Sequence, residues 1–154
     1  MTKKSLLRVG IVADNGYIMG CYDQDIDGLL VQDKLRKTLA NPESDDIEVF
    51  SSRERREFLY HILRLICLGG SMCQVEDRFD EWKEAIKIMY KELLCVQKNS
   101  SRKIEVTSTV YQIDPSGFNT NIFPYENPHN QCYCIFDKKM QTVTLLLKPY
   151  RPFW

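Results

Sequence analysis

Along the 154 residues the spacing of hydrophobic and polar positions changes several times, and each change predicts an element. Residues 6–12 are an apolar run, Asp14-Asn15-Gly16 follow, and residues 17–22 are again mostly apolar. Two short strands around an Asn-Gly turn, which tolerates positive φ, are the expected N-terminal hairpin. Residues 23–28 are acidic and turn-like. After them Val31, Leu35 and Leu39 recur at helical spacing, predicting a short helix that ends near Asn41-Pro42.

The next pattern is longer. Ser51 and Glu54 have the spacing of a capping box, and Phe58, Ile62, Leu65 and Ile66 share one helical face until Gly69-Gly70 stops it. A second helix is expected over residues 79–97, with Trp82, Ala85, Ile86, Met89, Leu93 and Val96 as its stripe. The short link between the two favours antiparallel packing. Residues 104–113, IEVTSTVYQI, then alternate with a period of two and predict a strand. Residues 114–130 hold three prolines and four asparagines and predict a loop. Residues 131–137 and 141–147 predict a final hairpin. The fold class is therefore α+β: an N-terminal β-hairpin, a short helix, an antiparallel helix pair and a C-terminal antiparallel sheet, in one domain over residues 1–154.

Charge changes the picture little, since 21 basic and 21 acidic residues cancel. No uniform field exists to draw in nucleic acid or a membrane surface, and neither is expected as a partner. No apolar run is long enough to span a bilayer and the first residues lack a signal-peptide pattern, so the expectation is a soluble intracellular chain with reduced thiols.

The stretch LICLGGSMCQVED, residues 65–77, follows a helix, whereas phosphate-binding glycines precede one. Cys67 sits at the helix end that disfavours a thiolate, and Cys73 has no suggestive neighbour. Asp23, Asp25, Asp27 and Gly28 imitate a calcium loop, but Lys34 stands where the twelfth-position acid belongs. Cys132-x-Cys134 with His129 forms the one soft-ligand cluster, without a second half-site. No cofactor is expected. A small metal- or thiol-dependent enzyme using Cys73, Cys132, Cys134 and His129 is the alternative reading. Gln74, Glu76 and Asp77 are candidates to cap the next helix or face a partner. Tyr150, Phe153 and Trp154, in the terminal YRPFW, have the aromatic composition of interface anchors, against which stands their folding back onto the sheet.

In order along the chain, ADNGYIMGCYDQD, LLVQDKLRKTL, EVFSSRERREFLYHILRLICLGGSMCQVED, KIMYKELLCVQKN and KIEVTSTVYQID together resemble the C-terminal half of the cilia- and flagella-associated protein 300 family. The similarity is densest at Arg56, Glu57, Phe58, Leu59, then Ile66 to Gly70, then Cys73, Gln74, Glu76 and Asp77. The family is longer, with a further N-terminal region, and LLLKPYRPFW departs from its tail. The resemblance implies a non-enzymatic protein of the cytoplasm and the motile cilium or flagellum. Its implied work is assembling or delivering axonemal dynein arms, with dynein arm preassembly factors, axonemal dynein or intraflagellar transport machinery as partners.

Overall fold

A computed structural model describes residues 3–68, 78–114 and 122–150. The α+β class stands, and the N-terminal part departs from expectation in register. The apolar run at residues 6–12 enters a helix, α1 (Lys3–Arg8), instead of a strand. Gly10 ends it at φ 70, with Ile11 N–H donating to Leu6 C=O and Gly10 N–H to Leu7 C=O. That pair of bonds is a Schellman cap, which a glycine at this position makes cheap. A short apolar run does not by itself distinguish the two periods.

Asn15-Gly16 does turn the chain: Ala13 N–H donates to Tyr17 C=O and Val12 bridges Ile18. The hairpin proper lies further on, β1 (Gly20–Ile26) against β2 (Leu29–Asp33). Its turn is Asp27-Gly28, both at positive φ, so the acidic stretch at residues 23–28 is mostly strand. Val31 belongs to β2, and α2 (Lys34–Ala40) starts behind Asp33, whose carboxylate accepts from Arg36 N–H at 2.7 Å.

Ser51 and Glu54 form the expected reciprocal box, with Ser51 N–H to Glu54 at 3.1 Å and Glu54 N–H to Ser51 at 3.3 Å. What they cap is a single 3-10 turn, and the α-helix, α3 (Phe58–Cys67), begins four residues later than Glu54. It packs on α4 (Phe79–Leu93), which is shorter than residues 79–97 because Val96 starts a strand. The core joins Leu6, Ile11, Leu35, Phe50, Ile62, Leu63, Phe79 and Trp82, all nearly inaccessible. Arg36 ties three helices there: it pairs with Asp33, donates to Cys67 C=O at 3.1 Å and lies over the Trp82 ring at 5.6 Å.

The strand expected over residues 104–113 has two partners. β4 (Ile104–Val106) pairs with β3 (Val96–Lys98), a hairpin absent from the sequence reading, and β5 (Ser108–Gln112) pairs with β6 (Gln131–Asp137). β6 also pairs with β7 (Thr142–Lys148), giving the order β5-β6-β7. Alternation sorts this sheet into two faces. Tyr133, Ile135 and Val110 look toward α3. Tyr111, Phe136, Val143, Leu145 and Leu147 lie on the other face, 38 to 62% exposed.

Candidate functional site: a groove between α3 and the β5 edge

A groove of about 560 Å³ opens where the helices meet the sheet. One wall is the alternating set Val106, Ser108, Val110 and Gln112 of β4 and β5. The opposite wall comes from the capped turn and the first turn of α3, with Arg55, Arg56, Glu57, Phe58 and His61, and Tyr90 of α4 and Leu94 just after it close one end. The Arg56 guanidinium makes no hydrogen bond or ion pair among the described residues, and the Arg55 guanidinium has only the Ser52 hydroxyl at 3.2 Å. Glu57 is held by Arg53 at 3.7 Å. The wall thus carries two arginines and one carboxylate, and burial, then the charge of Glu57, raises the pKa of Tyr90 across the groove.

Tyr133 forms the base of the groove. Its ring packs edge-on against Phe58 and His61, at centroid distances of 5.6 and 5.4 Å. Its hydroxyl donates to Gln131 at 3.2 Å and lies 3.0 Å from His61 Nδ1. A hydroxyl has one proton, so this arrangement makes Nδ1–H the donor to Tyr133 and leaves Nε2 as a lone-pair acceptor. Burial, then the charge of Arg64, lowers the His61 pKa, so the ring is neutral near pH 7. Burial pushes the Tyr133 phenol up to about 12, which keeps it a hydroxyl.

The sequence-derived candidates lie elsewhere. Tyr150 is 5% exposed, and its hydroxyl donates to Gly28 C=O at the β1-β2 turn. Its backbone N–H donates to Asn130 at 2.7 Å. His129 stacks beside it at 5.6 Å and donates from Nε2 to Ile26 C=O at 2.9 Å. Both rings are thus spent on clamping the hairpin tip, so Tyr150 folds inward instead of presenting a free anchor. Cys132 and Cys134 are buried on one face of β6, and burial raises the Cys132 thiol. His129 is committed to Ile26, and among the described residues no three His, Cys, Asp or Glu side chains gather as a metal site. Gln74, Glu76, Asp77, Cys73, Phe153 and Trp154 lie outside the described residues.

The remaining thiols are poorly placed for nucleophilic work. Burial raises Cys67 far above its ordinary range, and Cys95, exposed, is raised first by its hydrogen bond to Asp137. At the end of α3, Lys148 donates to Leu68 C=O at 2.9 Å, a cation set against the negative end of the helix. Burial, with the nearby charge of Arg64, brings its pKa down to about 8. Sequence reasoning missed the groove because its walls come from residues 55–61, 90–94 and 106–112. The one available signal was the alternation in residues 104–113 beside an arginine pair. No described helix is long and apolar enough to cross a membrane.

By fold the chain is of the α+β class, with a strand-walled cleft that two arginines flank. Comparison with known proteins gives its family. The family model described as cilia- and flagella-associated protein 300 matches residues 3–148. The protein of that name from Chlamydomonas reinhardtii is 34% identical over 148 residues, covering 94% of this chain and 58% of the relative. That from Paramecium tetraurelia is 25% identical over 140 residues, covering 90% and 54%. The chain therefore belongs to the cilia- and flagella-associated protein 300 family, and it spans a little over half the length of these relatives. No solved structure matches it.

Proposed function

We propose that the chain is a non-enzymatic adaptor or assembly factor for outer and inner axonemal dynein arms. It acts in cytoplasmic assembly or intraflagellar delivery, and ciliary and flagellar motility depends on it. Its partners in this reading are dynein arm preassembly factors, axonemal dynein or the transport machinery. The observation that carries the proposal is membership of a cilia- and flagella-associated family across residues 3–148. The groove offers this reading a contact surface, with Arg55 and Arg56 suited to holding a partner.

The test is depletion in ciliated cells, with imaging of the axoneme and affinity capture from the cytoplasm. Loss of both arm rows with stalled beating, and recovery of preassembly factors in the capture, is the expected result. Intact arms with full motility after complete depletion would overturn it.

A further inference from the structure

The ladder parity of β5 leaves a row of backbone groups facing out of the sheet. Ile113 N–H donates to Cys132 C=O, and the register pairs Tyr111 with Cys134 and Thr109 with Phe136. In an antiparallel ladder hydrogen-bonded pairs alternate, so the odd residues bond to β6 and Ser108, Val110 and Gln112 present N–H and C=O to the opposite side. The same parity continues into β4. Thr107 N–H donates to Cys95 C=O, so β3 lies on the β6 side and Val106 also faces outward. No described strand pairs with that outer side.

These outward residues are the ones whose side chains wall the groove, so one strip offers both a hydrogen-bonding template and side-chain pockets. Strand addition uses that combination: main-chain bonds give affinity and alternate side-chain pockets give selectivity. The charge beside it is predominantly positive: Arg55 and Arg56 stand on the facing wall without an ion pair among the described residues, Lys98, Arg102 and Lys103 are exposed in the β3-β4 hairpin, and Glu57 and Glu105 are the acids nearby. A second copy would bring the same cations to the same place.

We propose that the outer edge of residues 106–112 is a docking site for an extended, acid-bearing segment of a partner protein. The segment adds as a strand to β4-β5, and its carboxylates reach Arg55 and Arg56. This goes beyond the dynein-arm reading and does not depend on it. Binding is measured with purified components, so either can fail while the other holds.

The experiment uses the purified chain and fluorescein-labelled threonine-valine peptides of matching length, bearing glutamates at either end, with lysine counterparts. Anisotropy should show binding of a glutamate peptide and not of the lysine ones, weakened about tenfold by Arg55→Gln and again by Arg56→Gln. Hydrogen exchange of the unsubstituted chain should show Ser108, Val110 and Gln112 amides fast when free and slowed by peptide, while Thr109 and Tyr111 stay slow throughout. Val110→Pro removes an outward N–H that β6 does not use, so the fold tolerates it and binding is lost. Should that variant unfold, the exchange pattern decides. No binding of either glutamate peptide, equal binding of lysine peptides, or binding without protection at those three amides overturns the proposal. Sedimentation showing a dimer that Val110→Pro abolishes overturns it in favour of a second copy.

Discussion

The β5-β6-β7 sheet has two outer edges with the same backbone chemistry and different surroundings. At β5 the outward residues Ser108, Val110 and Gln112 send their side chains toward helices, into a groove with two arginines. At β7 the pairing of Cys132 with Leu147 and Cys134 with Leu145 turns the backbone of Val143, Leu145 and Leu147 outward, while their side chains stand on the open face. Lys148, the charge that ends β7, is turned away to Leu68 and does not guard that edge. An edge supplies hydrogen bonds to any extended chain, and selection comes from what stands beside it. The β5 edge has that flank and the β7 edge has only apolar surface.

The largest effect separates the sheet's packed face from its open one. Ile135→Ala, 3% exposed on the central strand, should cost about 3 kcal/mol in urea unfolding, and Leu145→Ala, 54% exposed, less than about 1 kcal/mol. Equal costs would mean that the open face is covered. Next, Tyr133→Phe keeps the ring and removes the hydroxyl between Gln131 and His61, for a loss of about 1 kcal/mol by thermal unfolding. The β7 edge should not sense it.

Two titrations sharpen the contrast further. Lys148 has a folded pKa of about 8 against 10.5 unfolded, so the unfolded chain holds the extra proton between those values. Stability contributed at this site therefore rises as pH climbs from 8 toward 10.5, and subtracting the Lys148→Met profile from the parent profile should isolate that rise. His61 is depressed below 6.5, so the unfolded chain protonates first and stability falls as pH drops through 6.5; His61→Gln should flatten this limb in denaturation midpoints. Smallest of all, Leu145→Thr should change stability by no more than about 0.5 kcal/mol while reducing binding of a hydrophobic dye.

Much of this architecture was legible in the sequence because long periodic segments leave little choice. The stripes of α3 and α4, the capping box at Ser51 and Glu54, and the last hairpin were all readable. The errors fall where a run was too short to show its period, as at Leu6, or where a turn signal had a competitor. Asn15-Gly16 and Asp27-Gly28 both qualify as hairpin turns, and packing assigned the longer ladder to the second. β3 was hidden because Val96 also fits the helical stripe of α4. The candidate site was far less legible. The roles of Tyr150 and His129 depend on backbone carbonyls at residues 26 and 28, which no local pattern announces.

The Tyr150 bond to Gly28 joins positions 122 residues apart, and that separation has a consequence in time. At synthesis rates of about 5 to 20 residues per second, Gly28 is made roughly 6 to 24 s before Tyr150 exists. For most of that interval the nascent β1-β2 tip lacks both Tyr150 and His129. The first hairpin to be made is thus among the last elements to be completed. An arrest-length series should show its exchange protection appearing only after Tyr150 has left the ribosome.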